Sequence, residues 1–314
     1  MTSRWNQALV RIASAKDPTT LSSDDKVLFH DDRTITIYDK FAKARYHFLV
    51  LPRIPFKASS SASSSKPQQG IPSLSASDGK LNFGATSSNT VPASHMQSIS
   101  ALLASPYTSE VLEAVRKASE DVIQYIRNDM LKDHGTTWDI ERAFHAVPSM
   151  DHLHLHVVSM DLVSDRLKHK KHYLSFHPTI GFALRLDQVE QWVQQGKKTL
   201  AKSKPAYEQL LKGPLVSHHT AQVFRYFPEL KVHLETYWRK SLLVDRGRST
   251  DDGATNAGVK RVASHEVSQL SGASIAGATG SRPLQSRKLE ASHLALKRTP
   301  DSHSEDDEPS LPTR

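Results

Sequence analysis

Three histidines alternate with apolar residues in the segment HLHLHVVS at 152–159. A β-strand points successive side chains to opposite faces, so this pattern predicts a strand with His152, His154 and His156 on one face. A neutral imidazole attacks phosphorus well near pH 7, because its unperturbed pKa is about 6.5. One imidazole would then be the nucleophile while the others orient it and bind phosphate oxygens. A metal site and a purely structural strand are the two alternatives.

The segment before this strand, FHAVPSM at 144–150, adds groups of the same kind. His145 supplies a further imidazole, Ser149 supplies a hydroxyl and a backbone N–H, and Pro148 stiffens the loop. A metal site fits less well, because Asp151 should point to the opposite face and no carboxylate is expected close by on the histidine face. The chain has no cysteine, which excludes disulfides, thiolate metal sites and cysteine nucleophiles.

The composition limits the class of protein. Only 38% of the 314 residues are hydrophobic, which is low for a globular chain and indicates unfolded segments. The formal net charge of +8 favours a polyanionic partner such as nucleic acid. No apolar run approaches the roughly 18 residues of a membrane span, and the N-terminus lacks the apolar block of a signal peptide. We therefore expect no membrane association and a cytosolic or nuclear protein.

Hydrophobic periodicity predicts the elements that must position these groups. Runs of alternating or β-branched residues predict three strands at 27–30, 34–39 and 45–52, with a further strand leading into the His145 loop. Apolar residues at helical spacing predict an N-terminal amphipathic helix and two more helices, at 1–15, 108–132 and 185–202. This mixture predicts an α+β fold with an antiparallel sheet and packed helices.

Composition shifts suggest the domain boundaries. Residues 57–95 are rich in serine and poor in apolar positions, so we expect a disordered insertion. It interrupts a catalytic domain formed by residues 1–56 and 96–190. Residues 191–240 form a helix and a small additional module, and 241–314 are expected to be a disordered tail.

Three blocks carry a resemblance to a known family. HLHLHVV matches the His-x-His-x-His-x-x signature of the histidine triad superfamily, with an apolar residue at every x. DKFAKARYHFLVLP at 39–52 looks like the nucleoside-binding strand of that superfamily. Together with FHAVPSM and LKHKKHYLSF, these blocks resemble the aprataxin family of DNA 5′-adenylate hydrolases, in a fungal-like form without a forkhead-associated module. The resemblance implies the histidine triad fold.

The resemblance also implies roles for the catalytic residues. His154, the middle histidine, would attack the adenylate phosphorus and hold AMP as a covalent adduct. His152 and His156 would orient it and contact phosphate. His145 would donate a proton to the leaving 5′-phosphate or bind its oxygens, and Ser149 would donate to the same oxygens.

Three further residues would bind the nucleotide if the resemblance holds. Asp39 looks like the carboxylate that holds the ribose hydroxyls, although a simple turn residue is the alternative. Lys43 would lie near the sugar and phosphate. His47 lies on the strand beside the site and would either contact the nucleotide or serve as a packing histidine.

Two segments indicate DNA contacts. The basic segment LKHKKHYLSFH contains four expected cations that would neutralise backbone phosphates, followed by Tyr173 and Phe176, whose rings could stack on bases. These cations are Lys168, Lys170, Lys171 and His172. Trp5, on the N-terminal helix, would be the wedge that stacks on the exposed duplex end in this family; a core anchor is the alternative.

Residues 213–240 follow the spacing of a two-Cys, two-His zinc finger without its ligands. Phe224 and Leu230 occupy the apolar framework positions, and the four ligand positions carry Ser217, Thr220, His233 and Tyr237. Hydroxyls are poor zinc ligands, so we predict no zinc and stability through docking, with a makeshift His218–His219–His233 site as the alternative. The helix at 229–240 would still contact DNA through Lys231, Arg239 and Lys240.

The resulting hypothesis is a monomeric nuclear DNA repair hydrolase that needs no cofactor. It would remove AMP from adenylated 5′ ends of nicked or double-stranded DNA, with RNA–DNA junctions as a further substrate. A histidine triad hydrolase of small nucleotides, such as dinucleoside polyphosphates or nucleoside phosphoramidates, is one alternative. A DNA-end-binding scaffold without catalysis is the other.

Overall fold

The computed structural model describes residues 4–58 and 90–251, with side chains over 6–58 and 90–244. Internal contacts divide the chain into two units, Met1–Val259 and Lys260–Arg314, and every described residue belongs to the first. In the described part of the chain, no helix is both long and apolar enough to span a bilayer.

A six-stranded antiparallel sheet forms the centre, in the order β1-β2-β3-β7-β6-β8. The predicted α+β class with an antiparallel sheet is therefore confirmed. The strands of this sheet are β1 (Val27–His30), β2 (Thr34–Tyr38), β3 (His47–Pro52), β6 (Ile140–His145), β7 (Leu155–Ser159) and β8 (Ala183–Arg185). Two short hairpins complete the strands, β4 (Phe56–Lys57) with β5 (Thr90–Val91) and β9 (Leu215–Val216) with β10 (Val223–Phe224).

The described residues also form seven α-helices. They are α1 (Ala8–Ala13), α2 (Ile99–Leu103), α3 (Thr108–His134), α4 (Lys170–Phe176), α5 (Leu186–Gln194), α6 (Lys204–Leu210) and α7 (Phe227–Asp251). Short 3-10 turns lie at Arg4–Gln7, Pro18–Thr20 and Ala93–Met96. The helix predicted at 185–202 is wrong in extent, because α5 ends at Gln194 and a loop precedes α6.

The long helix α3 covers one face of the sheet. Its buried positions recur every three or four residues, so they form one apolar stripe: Val111, Leu112, Val115, Val122, Ile126 and Met130. This stripe packs on sheet residues such as Phe48, Val50 and Val157. Each fully buried aliphatic or aromatic side chain contributes about 1.5–3 kcal/mol, so this face is the stable platform of the fold. Gly135 ends the helix at a φ of 73°, a left-handed conformation that favours glycine.

The opposite face of the sheet carries a smaller core and the histidines. Leu49 and Leu51 pack there against Leu9 and Ile12 of α1. Leu49 is directly opposite His156 in the β3–β7 register, and Ala143 flanks His156 on the other side. The imidazoles of the sheet therefore lie on the face that α3 leaves open.

Two predicted boundaries are wrong. The insertion was predicted at 57–95, but Lys57 pairs with Thr90, and residues 93–96 form a 3-10 turn. The tail was predicted from 241, but α7 continues to Asp251. The remainder of both predicted disordered segments, 59–89 and 252–314, lies outside the described residues.

Candidate active site

Four imidazoles meet on the open face of the sheet. His47 comes from β3, His145 from the end of β6, His156 from β7, and His154 from the residues just before β7. The ring centroids of His145 and His156 are 4.3 Å apart, those of His154 and His156 are 4.9 Å apart, and those of His47 and His156 are 5.2 Å apart. Four imidazoles with ring centroids this close to one another can contact the atoms of a single bound group.

His152 lies before strand β7 and has an irregular backbone conformation. Strand β7 begins only at Leu155, and His152 has a φ of 87°, which breaks the predicted alternation. Its Nε2–H donates to the carbonyl oxygen of Pro52 at 2.7 Å, and the side chain is 2% exposed. The prediction that all three triad histidines project from one strand face is therefore wrong, because only His156 lies within β7. His152 still lines the same small depression as His145 and His154.

The backbone of His152 nevertheless fixes the tautomer of His154, the candidate nucleophile. The Nδ1–H of His154 donates to the carbonyl oxygen of His152 at 2.8 Å. A proton held on Nδ1 leaves the lone pair of the neutral ring on Nε2. His154 is thus held in the tautomer in which Nε2 can attack an electrophile.

A second hydrogen-bond chain fixes the tautomer of His156. The backbone N–H of Lys43 donates to Nδ1 of His47 at 3.0 Å, so the proton of His47 is on Nε2. That Nε2–H donates to Nδ1 of His156 at 2.9 Å and lies 3.4 Å from Oδ2 of Asp39. His156 must then carry its own proton on Nε2, where it can be donated to a ligand.

Within this cluster, two buried imidazole atoms have no hydrogen-bond partner among the described residues. They are Nε2 of His156 and Nε2 of His145. Burial of an unsatisfied polar group costs about 1–3 kcal/mol, so such atoms mark a site that a ligand completes. The Nδ1 atom of His145 bonds to the backbone of Ser175, which leaves Nε2 as the atom facing the site.

Burial keeps these rings neutral. It lowers the pKa of His145 to about 3 and that of His152 to about 4. It also lowers the pKa of His47, His154 and His156, and neighbouring imidazoles lower that of His156 further. Near pH 7 the site therefore presents neutral nitrogen donors and acceptors.

Three further predicted residues surround this cluster. The charge of Lys43 contributes to the low pKa of His145 and His156, which places its ammonium group near them. The negative charge of Asp39 partly offsets the lowering of the pKa of His154. Ser149 is exposed on the loop after β6. Pro148 and Ser98 line a small depression between this loop and the histidines.

Asp39, His47 and His156 also form the one group of metal-ligating side chains that meets within 4.8 Å among the described residues. A carboxylate is therefore close to the histidines, contrary to our expectation, because the loop after β2 brings Asp39 back. The atoms that would face an ion, Nε2 of His47 and Nδ1 of His156, already share one hydrogen bond. A metal would have to displace that proton, so the arrangement fits the proton chain better.

Phe176 lies beside the site in a role that the sequence did not predict, and two other buried residues, Asp161 and Trp238, were not predicted at all. Phe176 of α4 packs edge-on against His47 and His156 and within 4.6 Å of the His145 ring centroid. Asp161 follows β7, and its buried carboxylate accepts the backbone N–H of Arg45 and the indole N–H of Trp138. Trp238 of α7 is 7% exposed. Tyr173 and Phe176 are both buried, so the expectation that they stack on bases is wrong.

The predicted DNA-contacting cations differ in their surroundings. Lys168 and Lys171 are exposed, and the ammonium of Lys170 donates to the carbonyl of Lys212 at 3.3 Å. His172 is not a cation, because burial and the charge of Lys43 lower its pKa to about 3. The side chain of Trp5 lies outside the described residues.

The C-terminal helix carries the other predicted DNA contacts. Lys240 is exposed and Lys231 is half-buried, both on α7. Arg239 pairs with Glu235 one turn earlier, at 2.7 Å. An exposed pair of this kind contributes little energy, so Arg239 can exchange Glu235 for a phosphate.

Most ligand positions of the finger-like module carry residues that are poor zinc ligands. Its ligand positions hold Ser217, Thr220, His233 and Tyr237, and hydroxyl groups are not the nitrogen and sulfur ligands that structural zinc takes. The apolar framework does form as predicted. Leu230 is fully buried, and Phe224 packs at the edge of the same core.

Comparison with known proteins agrees with this architecture. A family model described as a C2HE / C2H2 / C2HC zinc-binding finger matches residues 179–240, and one described as the C-terminal binding domain of the scavenger mRNA decapping enzyme matches residues 89–172. A crystal structure of the aprataxin ortholog Hnt3 in complex with DNA superposes with a TM-score of 0.51 at 20% identity. It covers 77% of this chain and 98% of that one. This match shows the fold, so the predicted histidine triad fold is confirmed.

Sequence relatives give the family. Aprataxin of Gallus gallus is 29% identical over 236 residues, which are 75% of this chain and 56% of that protein. Aprataxin of Danio rerio is 29% identical over 74% of this chain and 53% of its own length. The chain thus spans about half the length of these two relatives. The aprataxin-like protein of Saccharomyces cerevisiae is 32% identical over 188 residues, which are 59% of this chain and 74% of that protein. The chain therefore belongs to the aprataxin family.

Proposed function

We propose that the protein removes AMP from 5′-adenylated DNA ends through a covalent AMP–His154 intermediate. The observation that carries this proposal is the pair of fixed tautomers. His154 offers a lone pair on Nε2, and His156 offers a buried N–H that has no partner. A nucleophile beside an unpartnered donor is the arrangement that phosphoryl transfer requires.

The first step forms a phosphorus–nitrogen bond. Nε2 of His154 attacks the phosphorus of AMP, and the anhydride bond breaks so that the DNA 5′-phosphate leaves with the bonding electrons. The Nε2–H of His156 donates to a non-bridging oxygen as negative charge builds there. A fixed donor of this kind contributes on the order of 10²–10³ in rate.

The second step hydrolyses the adduct. Water attacks the phosphorus, the phosphorus–nitrogen electrons return to Nε2 of His154, and AMP leaves with the water oxygen. One proton of the water stays on AMP and the other passes to solvent. The Nδ1–H of His154 stays bonded to the carbonyl of His152 throughout, so the ring returns to the same tautomer.

The neutral state of His145 supports an anhydride substrate. A phosphate monoester has a second pKa of about 6, so it leaves near pH 7 without a strong general acid. An alcohol would need a proton at once, and a ring with a pKa of about 3 does not carry one in the free protein. His145 becomes an acid only when bound phosphate charge raises its pKa, which favours a phosphate as the leaving group.

Three observations support DNA as the carrier of the adenylate. Lys168 and Lys171 are exposed directly after the catalytic strand, the chain has a formal charge of +8, and the superposed relative is described in complex with DNA. We further propose that the protein acts in the nucleus. The match to a decapping-enzyme domain favours hydrolysis of small nucleotides as the second candidate function.

The test uses an adenylated nicked duplex without added metal. Quenching during turnover should trap an AMP adduct on the peptide that contains His154, and mass spectrometry should map it. His154→Ala should form no adduct and show no turnover. His30→Gln is the matched control, because His30 is an exposed histidine of β1, outside the imidazole cluster.

Two outcomes would contradict the proposal. Turnover without any trapped adduct would indicate direct attack by water, and equal behaviour of His154→Ala and wild type would favour a DNA-end-binding scaffold. The substrate class is read from salt dependence. Cleavage of the duplex should weaken steeply with ionic strength, whereas cleavage of a dinucleoside polyphosphate should not.

A further inference from the structure

Three of the four finger positions that should hold a metal are joined instead by hydrogen bonds. Nε2 of His233 lies 3.0 Å from Oγ of Ser217 and 3.2 Å from Oγ1 of Thr220. The same Ser217 hydroxyl accepts the backbone N–H of His219 at 3.2 Å. The residues in the ligand positions therefore still converge, although their chemistry has changed.

The spacing within this cluster is that of direct hydrogen bonds. Two oxygen or nitrogen ligands on one tetrahedral zinc lie about 3.4 Å apart, because each bond is about 2.0–2.2 Å long. The contacts of His233 with Ser217 and Thr220 are shorter and are direct hydrogen bonds. One imidazole and two hydroxyls satisfy one another, which removes the need for a cation.

The neighbouring histidines do not form a replacement site. Both ring nitrogens of His218 are used, Nδ1 with the hydroxyl of Tyr173 at 3.1 Å and Nε2 with the carbonyl of Met160 at 2.7 Å. The ring of His219 stacks on Tyr237, with centroids 4.2 Å apart and planes 12° apart, and its buried Nε2 has no hydrogen-bond partner in the described part of the chain. Among the described residues, His218, His219 and His233 do not bring three ligand atoms close enough to share one ion.

Docking onto the catalytic domain replaces the stabilisation that a metal would give. Leu215, Leu230 and Leu234 share one core with Tyr173 and Leu174 of α4. Trp238 adds a second anchor, because its ring packs against Trp138 at 5.7 Å and lies under the guanidinium of Arg45 at 3.5 Å. Isolated small fingers are unfolded without metal, so contacts of this extent are needed if the metal is absent.

We propose that residues 213–240 form a zinc-independent finger. The hydrogen-bonded cluster of Ser217, Thr220 and His233 occupies the metal position, Tyr237 packs beside it on His219, and the catalytic domain holds the module folded. The proposal does not depend on the hydrolase activity, because it concerns only the metal and the stability of the chain.

The first test measures metal and stability on the full chain. Protein purified from zinc-supplemented cells should contain no stoichiometric zinc, and its Tm should be unchanged by a strong chelator. His233→Ala should lower the Tm while the metal content stays the same. Stoichiometric zinc that the chelator removes with a fall in Tm would overturn the proposal, and so would an unchanged Tm in His233→Ala.

The second test rebuilds the metal site. The triple variant S217C/T220C/Y237H restores four ligands around His233, so it should bind one zinc and give a thiolate–cobalt absorption band when cobalt is used as the probe. Adding His233→Phe to this variant should remove most of the affinity. A triple variant with wild-type circular dichroism and no metal uptake would show that the cluster does not occupy the metal position. If the triple variant does not fold, the Tm of His233→Ala in the first test decides.

Discussion

Replacement of His152 by glutamine separates a structural from a catalytic role for the first histidine of the triad. The glutamine amide N–H can reach the carbonyl oxygen of Pro52, as Nε2–H does at 2.7 Å in the wild type. The backbone carbonyl that holds Nδ1–H of His154 is unchanged. We therefore expect His152→Gln to keep activity within about tenfold of wild type, equivalent to about 1.4 kcal/mol in the barrier.

The same variant should change how stability depends on pH. Burial lowers the pKa of His152 to about 4, whereas the unfolded chain has the ordinary value of about 6.5. Between these two values the unfolded state binds one more proton, so the folded state loses stability as the pH falls. At pH 5 this amounts to about 2 kcal/mol relative to pH 8. Glutamine does not titrate, so the variant escapes that loss.

The assay is urea denaturation of both proteins at several pH values between 8 and 5. The free energy of unfolding of His152→Gln, relative to that of wild type, should rise by about 2 kcal/mol over this range. His30→Gln, which removes an exposed histidine, should show no such rise. Parallel curves for His152→Gln and wild type would refute the buried neutral ring, and a loss of activity as large as that of His154→Ala would place the His152 imidazole on the phosphate.

Three further predictions concern the finger and the DNA surface. Tyr173→Phe removes a hydroxyl that donates to the carbonyl of Val216 at 2.7 Å and accepts the backbone N–H of His218 at 3.0 Å. The carbonyl keeps Nε2 of His177 at 3.1 Å, but the N–H loses its acceptor, so urea denaturation should show a loss of about 1–3 kcal/mol; no loss would mean that water replaces the hydroxyl. Trp238→Ala should cost about 3–5 kcal/mol and expose α7 to limited proteolysis, while unaltered protease resistance would contradict the docked finger. Lys168→Ala and Lys171→Ala should each reduce the slope of log affinity for duplex against log salt by about 0.9, and an unchanged slope would exclude a phosphate contact.

Much of the fold could be predicted because its elements have strong periodic patterns. The strands at 27–30 and 34–38 are short alternating or β-branched runs, and the helix at 108–134 has one buried stripe; these patterns are local. The extent of α5 was not predictable in this way. The residues after Gln194 continue the pattern that predicted a helix to 202, but the backbone adopts a φ of 73° at Gly196, just after the helix ends.

The candidate site shows a similar division. His145, His154 and His156 meet as the motif implies, and β3 adds His47. The orientation of His152 was not predictable, because a single residue with positive φ reverses the alternation on which the argument rested. The charge state of His172 was also not predictable, since it depends on burial and on Lys43, which is distant in sequence.

Helix α4 is only seven residues long, yet it contacts both the finger module and the imidazole cluster. Tyr173 binds the finger hairpin, the backbone of Ser175 bonds to His145, and Phe176 lies behind the imidazole cluster. A substitution that displaces the β9–β10 hairpin therefore also displaces the groups that align the reacting imidazoles. Damage to the finger should accordingly appear as slow turnover at saturating substrate, and not only as a raised KM.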